Sequence, residues 1–419
     1  MRQSKLFTKT RREAPADEVS KNAQLLVRAG YVHKEMAGVY SYLPLGKKVL
    51  EKIEQVVREE MDAIGGQEVR MATLHPSEPW KQTGAWDNVD VVFKLLSRTE
   101  KEYTVGQSEE EIVTPIAREY VQSYKDLPVA IYQIGQKYRD ELRAKSGIMR
   151  GREFTMKDMY SFHETQEDFD RFYALAKESY LKVYSRLGLV AKATEASGGA
   201  FTTKLSYEFM VLTEAGEDDI LYCSDCSYCV NAEISDQKEG DACTRCNKGS
   251  LARAKASEVG NIFDLGMKYS KDFSFTYKDR EGKDQHPIMG CFGIGISRLM
   301  GVIVEDFADE KGLVWPEAVA PFRYHLVSLG KSGDEAAKMA DALYGEMTAA
   351  GIDVLYDDRD LRAGEKFAES DLLGMPKRIV VGKDAVATGL FELTDRATGK
   401  MEKVSREYLL TSNANSKGI

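Results

Sequence analysis

The C-terminal part of the chain alternates strand-like and helix-like segments, and this alternation limits the fold more than any other feature of the sequence. Short apolar runs have the length of buried strands, and the segments between them have the spacing of amphipathic helices. In order, the segments are 324–329, 334–350, 354–356, 366–373 and 378–381. Such alternation predicts a small α/β domain on a parallel sheet. Because the pattern changes near Pro316, we expect a first domain over residues 1–318 and a second over residues 319–419.

The composition excludes several classes of protein. A chain of 419 residues with 43% hydrophobic and 30% charged residues is typical of a globular protein with two or three domains. The net charge of -9 argues against a protein that coats DNA or RNA indiscriminately, but it permits a local basic site for a shaped RNA. The longest apolar runs fall far short of the ~20 residues of a membrane helix, and no secretory signal is visible. We therefore expect a cytoplasmic protein with reduced cysteines.

The segment from Tyr138 to Phe154, YRDELRAKSGIMRGREF, carries five cations and three carboxylates in a chain that is acidic overall. It follows an alternating, strand-like pattern at residues 129–134. Charge-rich segments are commonly solvated loops, and these residues alone leave that interpretation open. The arginines, carboxylates and aromatic ring of this segment indicate a binding site only when a second segment is considered with them.

That second segment runs from Pro287 to Arg298, PIMGCFGIGISR, and leads an apolar strand through glycines into a helix. The order Gly290-x-x-Gly293-x-Gly295 is the reverse of the dinucleotide-binding fingerprint, so we reject a Rossmann site. The glycines serve either a ligand that approaches the backbone or close packing of strand and helix. Together, the two segments suit a nucleoside triphosphate, because arginine forks pair with phosphate oxygens and an aromatic ring stacks on a base.

The two segments resemble the second and third class-defining motifs of the class II aminoacyl-tRNA synthetases. The resemblance covers nearly the whole chain and is close to the bacterial-type prolyl-tRNA synthetase family. Further matching segments are 28–31, 40–46, 156–162, 258–260, 289–291 and 357–359. The family implies an α/β protein: an α+β catalytic domain on an antiparallel sheet, followed by a C-terminal α/β anticodon-binding domain. It also implies a homodimer whose ligands are ATP, proline and tRNA(Pro).

The family implies roles for the nucleotide-binding residues. Arg139 would hold the α-phosphate of ATP and Arg298 the γ-phosphate, with Mg²⁺ bridging phosphates, so that both arginines are catalytic. Glu141 would accept a hydrogen bond from the adenine amine, and Phe154 would stack on the adenine ring. The ATP-binding set is completed by Arg150, Gly293 and Gly295.

The implied reaction has two steps. The carboxylate of proline attacks the α-phosphorus of ATP to give an adenylate and pyrophosphate, and the terminal ribose hydroxyl of tRNA then takes the acyl group. A carboxylate is ionised at pH 7, so the first step needs no general base and depends on alignment and charge stabilisation. The five histidines are scattered, and we expect no Ser-His-Asp or Cys-His set.

A proline pocket needs a buried carboxylate near the ring nitrogen and an apolar wall. By the resemblance, Glu109 and Asp158 take the first role, with Met156 and Phe201 as the wall. Both carboxylates also suit solvated ends of helices or strands. The proline-binding set is completed by Gln107 and Gly290.

The chain departs from the family mainly around this pocket, whereas the ATP-binding residues match. The replaced positions are Ala72, Gly106, Gln107, Tyr207, Asn261 and Met267. A synthetase for another small amino or imino acid and a non-catalytic nucleic-acid-binding subunit therefore remain alternatives. Only about 130 residues separate Phe154 from Gly290, too few for the editing domain that most bacterial relatives carry there, so we expect no editing in cis.

Four cysteines in a turn-rich segment at residues 216–250 have the spacing C-x2-C, sixteen residues, C-x2-C, which suits tetrahedral zinc. They are Cys223, Cys226, Cys243 and Cys246. Cys229 offers a competing pair with Cys226, and reduced, unliganded thiols remain the alternative to a structural Zn²⁺.

Two groups of cations are candidates for contact with tRNA. In the loop of the second motif, Arg143 and Lys145 would meet the acceptor end. In the C-terminal domain, Arg359, Arg362 and Lys366 would contact the anticodon loop, since RNA-binding domains present polar and cationic groups to unstacked bases. The alternative is that these three only pair with the carboxylates of residues 357–360.

Overall fold

The computed structural model describes residues 1–142, 144–199 and 202–411, and the chain forms two compact units. One unit contains residues 1–35, 40–52 and the chain from residue 303 onward. The other contains residues 36–39 and 53–302. No helix within the described residues is both long enough and apolar enough to span a bilayer.

The helices are α1 Lys21–Arg28, α2 Pro44–Ala63, α3 Ser77–Gln82, α4 Ala85–Asn88, α5 Glu110–Tyr120, α6 Gln166–Arg186, α7 Lys268–Asp272, α8 Ile296–Phe307, α9 Glu335–Ala349, α10 Ala363–Leu373, α11 Lys383–Thr388 and α12 Arg406–Thr411. The strands are β1 Val32–Met36, β2 Val39–Tyr42, β3 Gly66–Glu68, β4 Leu74–Pro76, β5 Leu95–Leu96, β6 Glu102–Val105, β7 Val129–Tyr138, β8 Glu153–His163, β9 Ala191–Ser197, β10 Leu205–Leu212, β11 Asp218–Cys223, β12 Cys229–Asn231, β13 Leu251–Gly266, β14 Tyr277–Lys278, β15 Asp284–Gln285, β16 Ile288–Gly295, β17 Tyr324–Ser328, β18 Val354–Asp357, β19 Lys377–Val381, β20 Phe391–Asp395 and β21 Met401–Val404.

A nine-stranded, mainly antiparallel sheet forms the centre of the unit built from residues 53–302. Its strand order is β10-β9-β12-β11-β13-β16-β8-β7-β3. β8 pairs antiparallel with β7 on one side and with β16 on the other, so the sheet places the two motif segments side by side. The antiparallel catalytic sheet expected from the sequence is confirmed.

The two faces of this sheet differ because side chains alternate along β8. Lys157 lies on the face covered by α6, where its ammonium contacts Tyr180 and donates to the Phe292 carbonyl at 2.9 Å. Asp158 and Tyr160 lie on the other face, and Tyr160 packs in a core with Val113 of α5. The chain between the two motifs supplies α6 and the strands β9–β13, and these strands belong to the same sheet.

The second unit contains a five-stranded sheet in the order β18-β17-β19-β20-β21. β17 pairs parallel with β18 and β19, so the α/β alternation predicted from the sequence is confirmed. The hairpin of β20 and β21 adds two antiparallel strands that the alternation did not predict. Helix α10 begins at Ala363, before the predicted start, because the Glu365 carboxylate accepts from the Arg362 backbone and closes an extra turn.

Candidate functional site

A polar pocket opens at the ends of β7, β8 and β16 and beside the middle of β13. Strand register brings its walls together, since Lys137 of β7 pairs with Phe154, and Gly295 of β16 pairs with Met156. Eight predicted site residues line the pocket: Arg139, Glu141, Arg150, Phe154, Met156, Gly293, Gly295 and Arg298. Sequence reasoning gave no binding role to the seven others that line it, although residues 258–260 matched the family: Ile148, Met149, Gly151, Glu258, Val259, Gly260 and Asn261.

Two guanidinium groups give the pocket its positive charge. The Arg139 guanidinium lies over the Phe154 ring, 5.1 Å from its centroid, and its Nε is buried without a hydrogen-bond partner among the described residues. Burial, and then the charge of Arg298, lower the pKa of Arg139. Arg298 donates from Nε to the Met149 carbonyl at 2.8 Å and from Nη1 to the Glu258 carbonyl at 2.6 Å. An anion with several negative charges would relieve the repulsion between these arginines.

Arg150 holds the predicted adenine-recognising carboxylate in place. Its Nη2 donates to Glu141 Oε2 at 3.1 Å, and its Nη1 donates to Glu217 Oε2 at 2.7 Å. Burial alone would lower the pKa of Arg150, but the hydrogen bonds to Glu217 and Glu141 raise it. The arginine therefore remains charged and fixes the orientation of Glu141.

Glu258 lines the pocket 3.5 Å from Arg298, and its charge acts on two further carboxylates, Glu208 and Asp218. Burial, followed by the charge of Glu258, raises the pKa of Glu208 to about 8, and the same two causes raise the pKa of Asp218 to about 6. Asn261 donates to Glu258 Oε1 at 2.8 Å, which gives this departure from the family a structural role. Carboxylates that repel each other in this way favour a divalent cation, whose charge offsets the repulsion.

The predicted proline-binding carboxylates lie deeper than the nucleotide-binding residues. Glu109, at the start of α5, and Asp158, on β8, each have side chains only 2% exposed. Both contact the ammonium of Lys137, at 3.0 Å from Glu109 Oε1 and 2.9 Å from Asp158 Oδ1. Neither carboxylate is solvated, so the alternative interpretation of the sequence does not describe this structure.

Other members of the predicted proline set are distributed unevenly. Gln107 is buried and lies two positions before Glu109 in the sequence. Met156 lines the nucleotide pocket. Gly290 pairs with Ser161 on the α6 face of the sheet, where an added β-carbon would lie 2.7 Å from Phe169 and Phe292. The structure therefore assigns Gly290 to packing rather than to the pocket. Phe201, like Arg143, falls outside the described residues.

Gly106, another departure from the family, has a steric explanation. A β-carbon at this position would lie 2.7 Å from both Glu109 Oε1 and His75 Cε1. His75 in turn places its Nε2 at 3.0 Å from Glu109 Oε2. The glycine thus leaves room for the His75 ring against the carboxylate.

A Ser-His-Asp array that we did not expect occurs on the α6 face of the sheet. His163 Nδ1 lies 2.6 Å from Asp168 Oδ2, and His163 Nε2 lies 2.9 Å from Ser161 Oγ. Ser161 has no exposed surface, so its hydroxyl cannot meet a substrate. The array joins the end of β8 to the first turn of α6. Sequence reasoning missed it because only the strand-to-helix turn brings Asp168 back to His163.

Four thiols converge in the segment that joins β11, β12 and β13. The sulfur atoms of Cys223, Cys226, Cys243 and Cys246 all lie within 4.8 Å of one another. Two of the distances, Cys223 to Cys246 and Cys226 to Cys243, are 3.7 Å. Zn–S bonds of about 2.3 Å in a tetrahedron place sulfur atoms about 3.8 Å apart, so the cluster is compatible with zinc. Cys229 is outside it and accepts a hydrogen bond from Thr194 at 3.1 Å.

The candidate tRNA-binding cations differ in accessibility. Lys145 is 58% exposed and lies 3.5 Å from Glu217. Arg359 donates at 2.8 Å to both Asp357 and Glu369. The contact with Asp357 is one that the alternative interpretation described, whereas the contact with Glu369 was not expected. Lys366 is buried and donates to the Ser328 carbonyl at 2.6 Å, so it presents no charge to solvent. Arg362 is exposed at the start of α10.

Comparisons with known proteins agree with this geometry. The family described as "tRNA synthetase class II core domain (G, H, P, S and T)" matches residues 93–307, and "Anticodon binding domain" matches residues 323–412. The chain is 34% identical over 560 residues to the proline–tRNA ligase of Geobacillus sp. (strain WCH70), covering 98% of each chain. It is 33% identical over 564 residues to that of Bacillus cereus (strain AH820), covering 99% of this chain and 100% of the relative.

The first of these alignments also shows a difference in length. Because this chain has 419 residues, at least 141 of the 560 aligned positions lie opposite gaps in it. A solved structure of prolyl-tRNA synthetase from Cryptosporidium parvum, complexed with L-proline and AMP, has a TM-score of 0.76 and 17% identity. The match covers 94% of this chain and 74% of that one, and at this identity it supports the fold alone.

Proposed function

This chain belongs to the proline–tRNA ligases of class II. We propose that the residues around its polar pocket have distinct roles in binding ATP, recognising adenine and stabilising the reaction. The enzyme activates proline with ATP and charges tRNA with it. The observation that carries the assignment of roles is the convergence of Arg139, Arg298 and Phe154 on one pocket.

In the first step, the proline carboxylate attacks the α-phosphorus of ATP, and pyrophosphate leaves. The buried Arg139 guanidinium has an unused donor, and we place it at the α-phosphate, where negative charge develops. Arg298 is fixed by two backbone carbonyls and binds the γ-phosphate. Because both arginines are held before the nucleotide binds, little reorganisation accompanies the reaction.

Adenine recognition depends on Phe154 and Glu141. The Phe154 ring is backed by Arg139 and offers its other face to the base, while Glu141, oriented by Arg150, accepts from the adenine amine. In the second step, the terminal ribose hydroxyl of tRNA attacks the carbonyl of the adenylate. Lys145 meets the acceptor end of the tRNA, and Arg362 and Arg359 belong to the anticodon-binding face.

We assign side chains to two metals. Glu258, with Glu208 and Asp218 near it, would hold the Mg²⁺ that accompanies ATP, and the ion would neutralise charge on the phosphates. The four-thiol cluster would hold a structural Zn²⁺, since its sulfur separations match a tetrahedral site.

We also propose three properties of the whole enzyme. By the family resemblance, Ala72 takes the place of a proline in the first class-defining motif, which lies at the dimer interface of the family. Near Ala72, Leu74 and Val69 are exposed by 55% and 39%, which supports a homodimer through this segment. The gap against longer relatives supports an enzyme without editing in cis. A role in translation supports a cytoplasmic location.

The test is ATP–pyrophosphate exchange with each amino acid in turn. Exchange with proline alone is expected, and exchange with another small amino acid would show that Gly106, Gln107 and Tyr207 have altered the specificity. Arg298→Ala should remove exchange. The matched control is Arg186→Ala, since Arg186 lies on α6 and pairs with Glu59 and Glu60 away from the pocket. Equal losses in the two variants would refute the role of Arg298.

A further inference from the structure

The carboxylates of Glu109 and Asp158 share a single buried counter-ion, the ammonium of Lys137. The Lys137 side chain has no exposed surface and lies within 3.0 Å of both carboxylates. A buried ion pair is costly to desolvate, and it is favourable only when each charge finds a well-placed partner. Lys137 is therefore needed to keep two like charges together inside the protein.

Strand register explains how Lys137 meets Asp158, although the two residues are far apart in the sequence. Gln133 pairs with Asp158 across β7 and β8, and its amide Nε2 donates to Asp158 Oδ2 at 3.4 Å. Lys137 lies four residues farther along β7 on the same face, so its long side chain reaches back to Asp158. The Glu109 backbone is held separately, because its N–H donates to the Tyr160 hydroxyl at 2.9 Å.

The charge count of this cluster leaves room for one more cation. His75 Nε2 lies 2.7 Å from the Ala72 carbonyl and 3.0 Å from Glu109 Oε2, both acceptors, so Nε2 carries a hydrogen. His75 Nδ1 is buried and has no hydrogen-bond partner among the described residues. The carboxylates of Glu109 and Asp158 and the ammonium of Lys137 together carry a single net negative charge.

We propose that Lys137 is a positioning residue of the proline subsite, which holds Glu109 and Asp158 in place and reduces their combined charge to match one substrate ammonium. The inference rests on the proposed role of these carboxylates in binding proline. Lys137 itself does not touch the substrate. Its effect is exerted through the two carboxylates.

Several titratable groups surround the cluster, and they determine how it responds to pH. They are His75, Glu110, Lys157, Tyr160 and Cys291. Burial alone would raise the pKa of Glu109, but the His75 hydrogen bond and the Lys137 charge keep it below its usual value. Burial raises the pKa of Asp158, and Lys137 opposes that rise. Without Lys137, both carboxylates should retain protons to higher pH, and the protonated forms cannot pair with an ammonium.

The experiment is proline-dependent ATP–pyrophosphate exchange by the full-length Lys137→Met variant between about pH 6 and 8.5, a range that brackets neutral pH. We expect KM for proline to rise about tenfold or more while KM for ATP changes less than about twofold, because only the amino-acid subsite is altered. In the variant, kcat/KM for proline should increase with pH, whereas the wild type should be nearly flat. An unchanged KM for proline would overturn the proposal.

Three further variants separate positioning from simple loss of stability. Lys137→Arg keeps the charge and should recover much of the affinity for proline. Lys157→Met removes a buried lysine from the opposite face of β8 and should leave the pH profile for proline flat. Lys137→Met combined with Asp158→Asn restores the net charge, so the profile should flatten again even though KM stays high. A double variant with the steep profile of Lys137→Met would overturn the charge-setting role.

These outcomes are distinct from a failure of the proposed function. If the wild type exchanges with no amino acid, or with one other than proline, the assignment of the substrate fails before Lys137 is tested. If the wild type exchanges with proline and all four variants share its KM and pH profile, only the inference about Lys137 fails.

Discussion

Replacing Arg139 with methionine should strongly reduce proline activation while changing the stability of the protein only slightly. The Arg139 Nε is buried without a partner among the described residues, and an unsatisfied buried donor costs about 1–3 kcal/mol. Against this, the substitution removes the cation–π contact with Phe154, which is worth about 0.5–2 kcal/mol. It also relieves repulsion from Arg298, which contributes to the lowered pKa of Arg139. The free energy of unfolding of the ligand-free protein should therefore stay within about 1–2 kcal/mol of wild type, the range that these opposing effects span.

The functional loss should be much larger. Removing one fixed donor from a site of developing charge costs about 10²–10³ in rate, so proline-dependent exchange should fall by that factor. Thermal denaturation with and without ATP provides the stability comparison. At 100 times Kd, ATP should stabilise the wild type by about 2.7 kcal/mol, and the variant should gain less at the same concentration.

Arg139→Lys is the matched control, because lysine keeps the charge but lacks the planar fork that binds two phosphate oxygens. Its activity should lie between those of the wild type and the methionine variant. Exchange within about tenfold of wild type in Arg139→Met would refute the assigned role, since loss of a transition-state contact costs more. A ligand-free Arg139→Met protein that melts well below the wild type would refute the argument that the opposing effects of this substitution on stability nearly cancel.

The remaining predictions concern the base, the thiols and a buried carboxyl group. Phe154→Ala should raise KM for ATP by a factor equivalent to about 1–3 kcal/mol of lost stacking, with KM for proline little changed; equal rises in both would contradict this. Cys246→Ser should lower the zinc content measured by atomic emission and the melting temperature, whereas Cys229→Ser, outside the cluster, should change neither zinc content nor zinc retention. Burial and then the charge of Glu110 raise the pKa of Glu111 to about 8, so its stabilising contribution is present below about pH 4.5 and is lost as the pH rises through 8. Glu111→Gln should therefore gain melting temperature relative to wild type as pH increases across that window, and a constant difference would contradict the assignment.

Much of the site could be predicted from local sequence. Phe154, Met156 and Asp158 are spaced two apart, so a strand places them on one face, and the structure has them on the face that bears the pocket and the carboxylate cluster. The family motifs supplied the two arginines. Gly290 was the exception, because it lies an odd number of positions from Gly293 and so faces α6.

Lys137 could not be found in the same way. Its pairing with Asp158 depends on the register between β7 and β8, and the loop between these strands can shift that register without changing either pattern. For Lys366 the sequence suggested a role that the structure does not support. A lysine near the start of a helix is usually exposed, yet this one is buried and donates to the Ser328 carbonyl. The sequence indicates which face of an element a residue occupies, but not what covers that face.

The sequence by itself determined the family, the α/β alternation of the C-terminal domain, the nucleotide-binding motifs and the spacing of the four cysteines. Each of these features depends on residues that lie close together along the chain. Only the tertiary structure decided which charges meet. Glu109, Lys137 and Asp158 come from a helix start and two strands, and His75 from another. Burial removes the water that would otherwise screen these charges, so their partners are chosen by strand register and packing rather than by sequence distance.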